Sequence, residues 1–351
     1  MSKISYLAGS PYYLEDVLGL DLYERALAGN LSYLLLNQPP LCDCHCRRCF
    51  MPESRRDKCD SALGLEECCD IIRGAASSGI RCLEISGEGE PLLSQNLSGI
   101  IDCANDCGLI TTLITNGHAL SDEVIEFAFS RNVTLVVSLF SLNSETYEKD
   151  NDLPGSFETT IGWIKRAAKT FAKDLKSIEG KKVYRMAIHT TAQVDNYDDL
   201  AWMRAFCDEH KIFFSIAPLA PVGGGAELGK FVLTGDQAAN AVSLGHNSII
   251  LSGTSKGEIG REVCGTCLYG LNVGYDGNLL FDAHAGYEVG SFLGNTRENS
   301  IEDLIATQRK FAPLMFSEID GFCPVRASKW PVFLQSFLES PVVLDKPTVS
   351  A

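Results

Sequence analysis

The chain alternates between two hydrophobic periods. Runs that are apolar nearly throughout fall at 33–37 (Tyr-Leu-Leu-Leu-Asn), 81–86, 110–115, 133–140, 183–190 and 213–217, and each reads as a buried strand. Between them lie stretches with apolar residues every third or fourth position, at 63–79, 97–107, 122–129, 157–172 and 200–210, which predict helices. Strands apolar on both faces and separated by helices imply a parallel sheet whose outer side the helices cover. Six such units predict an α/β fold, an open partial (β/α)6 barrel of the TIM type, in preference to a closed eight-stranded one.

The pattern changes on either side of this core. Residues 1–31 read as a helical preface, with Tyr12, Leu14, Val17, Leu18, Leu20, Leu22 and Leu27 as its apolar positions. This preface is too short for a separate peptide-recognition domain. The stretch Pro221-Val-Gly-Gly-Gly-Ala226 reads as a linker. No Lys-Ser/Thr follows its glycines, so it does not match a phosphate-cradling loop. The expected division is therefore a barrel over 32–225, a linker and smaller loop-rich domain over 226–339 with a helix at 301–311, and a tail over 340–351. A chain of 351 residues suits one large and one small domain.

Composition narrows the partners. A net charge of −15 argues against a nucleic-acid partner, since phosphate binding needs an excess of Lys and Arg. It argues more weakly against anionic membranes, and most of it serves solubility on exposed helices. A cationic substrate such as an aminosugar is compatible with it. The first residues lack the basic-then-apolar pattern of a signal peptide, and no apolar run reaches the length of a membrane span. Fourteen cysteines without an export signal predict reduced thiols and metal sites in the cytoplasm.

Four of those cysteines lie within eight residues, in Leu41-Cys-Asp-Cys-His-Cys-Arg-Arg-Cys-Phe50, directly after the first strand and Pro39-Pro40. Cys42, Cys46 and Cys49 stand as Cys-x3-Cys-x2-Cys. Thiolates suit zinc, cuprous copper or iron–sulfur clusters. Three on one tight loop can hold three irons of a cubane and leave the fourth open to a second molecule. A zinc knot or a redox disulfide pair is the alternative that spacing leaves standing. The next informative stretch, Glu84-Ile-Ser-Gly-Glu-Gly-Glu-Pro-Leu-Leu93, ends the second strand. There Gly87 and Gly89 free the backbone, and Glu90 and nearby carbonyls can accept from an ammonium.

Together the cysteine loop and Gly89-Glu90-Pro91 resemble the radical S-adenosylmethionine (SAM) enzymes, over roughly residues 32–325. The resemblance implies a [4Fe–4S] cluster on Cys42, Cys46 and Cys49 and bound SAM. Gly87, Gly89, Glu90 and Pro91 would meet its amino group, and Asn116 and Ser138 its carboxylate and ribose. His189 and Thr191 would share that rim. Glu88 intrudes on the usual glycine pair, and Arg48 stands where the family has an aromatic residue near adenine. Cys44 is an extra thiol in the loop. Cys59, Cys68, Cys69, Cys82, Cys103 and Cys107 sit at apolar helix and strand positions and read as small buried hydrophobes.

A third constellation follows the barrel: Cys264-Gly-Thr-Cys267, Tyr275-Asp-Gly-Asn-Leu-Leu-Phe-Asp282, Leu293-Gly-Asn295 and Phe322-Cys-Pro324. Alone, Cys-x2-Cys reads as a zinc half-site or redox pair. In this place it resembles the SPASM domain or its shortened twitch form, which implies a second [4Fe–4S] cluster on Cys264, Cys267 and Cys323. Asp282 or another thiol such as Cys207 would complete it, or one iron would stay open. The mechanism implied is reductive cleavage of SAM, with an electron donor such as flavodoxin or ferredoxin, and hydrogen-atom abstraction from substrate. Oxidation would follow if the second cluster took an electron. Epimerisation would follow if a thiol, Cys207 or Cys323, returned a hydrogen atom. A small polar substrate such as an aminosugar or aminocyclitol is one expectation, and a peptide crosslinked or otherwise modified is another. A non-catalytic iron–sulfur or zinc scaffold is the third.

Overall fold

A computed structural model describes residues 5–9, 22–49, 51, 59–178, 180–219, 229–246, 270–280 and 292–319. Six parallel strands form the centre of the fold: β2 (Tyr33–Gln38), β3 (Cys82–Gly87), β4 (Ile110–Thr115), β5 (Thr134–Ser138), β8 (Met186–Ala192) and β9 (Phe213–Pro218). They pair in that order, with β2 against β3 and so on to β8 against β9. This is the open (β/α)6 barrel that the hydrophobic pattern predicts.

Each crossover is a helix with one buried stripe. In α2 (Leu65–Ser77) the stripe is Cys68, Ile71, Ile72 and Ala75, at the spacing that keeps one helical face inward. The others are α3 (Leu97–Asp106), α4 (Asp122–Ser130), α6 (Phe157–Phe171) and α7 (Leu200–His210). Their buried faces meet Leu34, Leu36, Ile85, Leu113, Leu135, Ile188 and Phe214 of the sheet in one continuous core. Two short elements lie outside the alternation, α1 (Leu22–Leu27) before β2 and α5 (Ser144–Asn151) between β5 and α6, and α5 meets the site. Asn143 caps α5 by accepting from Thr146 N at 3.0 Å.

The run at 183–190, read from sequence as one strand, is two. The break is at Arg185, which leaves β7 (Lys181–Tyr184) in a separate three-stranded sheet with β1 (Ser5–Leu7) and β6 (Lys176–Ile178). Arg185 is buried, donates to Asp174 at 2.8 Å and to the Phe129 and Val133 carbonyls at 3.1 Å, and lies over the Phe129 and Phe171 rings. Residues 5–7 are therefore extended, where the sequence predicted a helical preface throughout. β1 pairs parallel with β7, and Leu7 and Tyr184 pack on Val136, Ala187 and Phe213. That small sheet stops the inner face of the barrel with apolar side chains.

At the other edge, β10 (Gly270–Val273) adds in parallel to β2, and β11 (Asn278–Leu280) and β12 (Phe292–Asn295) follow antiparallel. β10 and β11 form a hairpin that turns at Gly277, whose φ is +84°. It extends the barrel sheet to nine strands among the described residues. Helices α8 (Gly235–Leu244) and α9 (Ile301–Ile319) complete the described elements, and the stretch after 235, read as loop, thus includes a helix.

Candidate functional site

The cysteine loop leaves β2 and lies down on the turn after β3. Glu90 N donates to Leu41 O at 2.8 Å. A Cβ at Gly89 would stand 2.3 Å from both Pro39 O and Leu41 O, and one at Gly87 only 2.0 Å from Gly89 O. Both glycines are thus required by close backbone approach. Glu90 is buried. One oxygen accepts from Leu92 N (2.9 Å) and Thr115 Oγ1 (2.7 Å), and the other from Asn116 N (2.7 Å). Burial pushes its pKa up to about 7 against those three donors. The carboxylate that the sequence assigned to a ligand ammonium therefore braces the ends of β3 and β4. Pro91, also buried, opens the short 3-10 turn Pro91–Leu93 behind it.

Within the loop, Cys44 is the most buried thiol and lies between Cys42 and Cys46. Its hydrogen bonds to those two sulfurs raise its own pKa, with burial adding to the effect. The same contact lowers the Cys42 pKa, while burial, Cys46 and Glu90 oppose the change. The end of β4 faces this group: Asn116 Nδ2 is 2.6 Å from Asp43 Oδ1 and 3.3 Å from Cys44 Sγ. His118 Nδ1 lies 3.1 Å from Cys44 Sγ, and its Nε2 lies 2.8 Å from Tyr147 Oη. Burial alone would raise the Asp43 pKa, but hydrogen bonds with His118 and Asn116 outweigh it, and the carboxyl sits below its usual range.

The last turn of α5 braces the far side of the loop. Asp150 O and Asn151 O accept from Arg47 N at 3.0 Å and His45 N at 3.1 Å, and Cys46 Sγ donates to Asn151 Oδ1 at 3.3 Å. Arg48 forms an ion pair with the buried Asp150 and lies 4.9 Å from the Phe140 ring centre. Its side chain is thus turned into the protein, against α5 and Phe140. Cys49 N closes a turn onto Cys46 O at 3.1 Å.

On the other half of the sheet, register pairs Ser138 with His189 and His189 with Ser215 at the same strand ends, and His189 Nδ1 is 3.1 Å from Ser215 Oγ. The structure therefore groups Cys42, Cys46, Gly87, Gly89, Glu90 and Asn116 at one part of the rim, and Ser138 and His189 at another. Cys207 is elsewhere. It lies on α7 in the core between helices and sheet, fully buried among apolar residues, and burial pushes its thiol up. That corrects its expected place as hydrogen donor or cluster ligand. Cys264, Cys267, Cys323 and Asp282 lie outside the described residues, as do the three consecutive glycines. Cys68, Cys69 and Cys82 are buried as expected, whereas Cys59, Cys103 and Cys107 are half-buried.

Sequence reading missed His118, Tyr147, Asp150 and Asn151. The signals were present in two places. Asn116-Gly-His118 follows a strand whose end is a natural ligand position, and Asn143-Ser-Glu-Thr is an N-cap pattern that announces α5.

No family model matches the chain. Several curated relatives match it in part, two of them as follows. An AdoMet-dependent heme synthase from Methanosarcina barkeri is 29% identical over 171 residues, 47% of this chain and 44% of that protein. A GTP 3',8-cyclase from Desulforamulus reducens is 28% identical over 151 residues, 42% of this chain and 45% of that protein. The chain thus spans less than half the length of these relatives. Among solved structures, Streptococcus suis SuiB bound to S-adenosylmethionine superposes with a TM-score of 0.64 at 18% identity, over 90% of this chain and 79% of that one. Native anSMEcpe with bound AdoMet gives a TM-score of 0.59 at 15% identity, over 88% of this chain and 96% of that one. These two likenesses are likenesses of fold.

Proposed function

We propose that the chain is a radical SAM enzyme, one that cleaves SAM reductively and takes a hydrogen atom from a small polar substrate, giving oxidation or epimerisation. The residues present fit the cofactors. Cys42 and Cys46 converge on the loop, with Cys49 one turn on, and would hold a [4Fe–4S] cluster by soft thiolate ligation. The backbone of the Gly87-Glu-Gly89 turn would receive the amino group of SAM, with Asn116 and Ser138 beside its carboxylate and ribose. When bound, a reduced cluster would supply the electron for reductive cleavage of SAM, and SAM would supply the group that takes the hydrogen atom. The chain's part is to hold the loop rigid through Glu90, Asn151 and the Arg48–Asp150 pair, and to keep water from the barrel interior. An electron donor of the flavodoxin or ferredoxin class serves the cluster, and Cys264, Cys267 and Cys323, with Asp282, are the proposed ligands of a second cluster.

One observation supports the small substrate. The inner face ends in the apolar stop made by Leu7, Tyr184 and Phe213, while Ser138, His189 and Ser215 stand at the strand ends on the other part of the rim from the cysteine loop. An apolar floor with hydroxyl and imidazole groups at the strand ends suits a polar molecule of limited size. The peptide reading has its own support, since SuiB was also solved with the precursor peptide SuiA, at a TM-score of 0.61 and 20% identity. The deciding test is deuterium transfer. Reconstituted protein with SAM and a reductant should place deuterium from deuterated aminosugars or aminocyclitols into 5′-deoxyadenosine. Transfer from peptides alone would overturn the small-substrate proposal.

A further inference from the structure

Cys44 and His118 have no part in the cluster described above, yet they are held with more care than a spare thiol and an incidental imidazole need. Cys44 is 2% exposed. Around it lie the Cys42 thiol, the Asp43 carboxylate and the His118 imidazole. Cys44 Sγ lies 3.1 Å from His118 Nδ1 and 3.8 Å from Asp43 Oδ1. Asp43 Oδ2 lies 3.5 Å from His118 Nδ1, and Asp43 Oδ1 lies 4.0 Å from Cys42 Sγ. The ligand atoms of Cys42, Asp43 and Cys44 all fall within 4.8 Å of one another, and His118 stands at the edge of that group, against Cys44 and the second Asp43 oxygen. Tetrahedral zinc, with bonds of about 2.3 Å to sulfur and about 2.0–2.2 Å to nitrogen or oxygen, places its ligand atoms about 3.3–3.8 Å apart. The four distances bracket that range. A cubane differs, because each of its thiolates holds a separate iron and the sulfurs stand well apart.

Two further contacts point the same way. His118 presents Nδ1 to the group while Nε2 meets Tyr147 Oη at 2.8 Å, the outer hydrogen bond that fixes the orientation of a metal-bound histidine. The amide of Asn116 supplies one nitrogen to three acceptors at once: Asp43 Oδ1 at 2.6 Å, Cys44 Sγ at 3.3 Å and Cys42 Sγ at 3.9 Å. Three acceptors converging on one donor are a focus of negative potential that a cation would also fill.

We propose that the iron-free cysteine loop holds one divalent transition-metal ion, zinc above all, on Cys42, Asp43, Cys44 and His118. The site excludes the cluster because Cys42 serves both. On binding, the Cys42 and Cys44 thiols release their protons, His118 keeps its proton on Nε2 toward Tyr147, and Asn116 turns its amide aside. No electron is transferred. The loop then has two metal states that share one ligand, and zinc occupancy blocks cluster assembly.

The probe is cobalt(II), which reports tetrahedral thiolate ligation by its visible and near-ultraviolet absorption. It is added to the full-length, iron-free protein under anaerobic conditions. The expected result is one cobalt per chain with a thiolate band. Affinity should fall more than about tenfold in Cys44→Ser and in His118→Gln, stay unchanged in Cys49→Ala, and be at least equal to wild type in Asn116→Ala. Zinc added beforehand should prevent iron uptake. In a parallel iron reconstitution, Cys44→Ser should load like wild type and Cys49→Ala should not. Absence of the band in wild type, or its loss in Cys49→Ala with retention in Cys44→Ser, would overturn the proposal. If no variant takes up iron, the cluster reading fails separately and the cobalt result still decides this one.

Discussion

At the scale of single residues, the site depends on side chains that are small, and on two buried charges. Gly89 allows the backbone of the cysteine loop to touch the turn after β3, because its missing Cβ would overlap Pro39 O and Leu41 O at 2.3 Å. Gly89→Ala should therefore lift the loop, cost about 1–3 kcal/mol in a denaturant titration, and lower iron content after reconstitution. A variant with full iron and unchanged stability would refute that account of the turn. Arg48 poses a different problem, since it neutralises Asp150, whose side chain is 2% exposed. Arg48→Met leaves that carboxylate buried and unpaired, with an expected loss of about 3–5 kcal/mol. Adding Asp150→Leu should restore most of it, and an additive double variant would show that the pair is not coupled.

At the scale of elements, the joint between β9 and α8 carries a pH dependence. His246, at the end of α8, accepts from Phe214 N at 2.8 Å, faces Asp208 across 3.1 Å and stacks on Phe213. Burial, reinforced by Arg204, lowers its pKa from 6.5 to about 4, against the pull of Asp208. A histidine depressed in this way contributes stability above pH 6.5 that is lost as pH falls toward 4. The loss should reach about 3 kcal/mol at most. It should show as an acid slope in unfolding free energy that His246→Gln flattens. An identical slope in both proteins would place the acid sensitivity elsewhere.

How far elements can be read from sequence is also visible at this scale. β4 and α7 were legible to the residue because their apolar periods are uninterrupted and their ends fall at turn residues. α5 was not, since Ser-Glu-Thr-Tyr-Glu-Lys-Asp-Asn carries one apolar side chain, Tyr147, and its role is to present carbonyls to the loop. The break at Arg185 was hidden within an apolar run, because what makes it is contacts to Asp174, Phe129 and Val133. β1 is extended because it pairs with β7, far along the chain, and no local pattern contains that partner.

At the scale of the molecule, the cysteine spacing and the Gly-Glu-Pro turn were readable because each is local, and the alternation of strands and helices placed both at one rim. What sequence reading did not assemble is the shell around them: His118 from the turn after β4, Asn151 and Asp150 from α5, and the small sheet that stops the inner face. Those depend on pairings between distant segments. The same architecture divides the rim into a cysteine side at β2 to β4 and a Ser138–His189–Ser215 side at β5 to β9. Among the described residues, no helix is long and apolar enough to cross a membrane.

The most direct test is release of 5′-deoxyadenosine from SAM by anaerobically reconstituted protein given a reductant, with iron measured in the same sample. Wild type should hold at least about four irons and release 5′-deoxyadenosine, and the Cys42/Cys46/Cys49→Ala variant should release none. A protein with its full iron complement that leaves SAM intact, or one that takes up only zinc in both forms, would contradict the account.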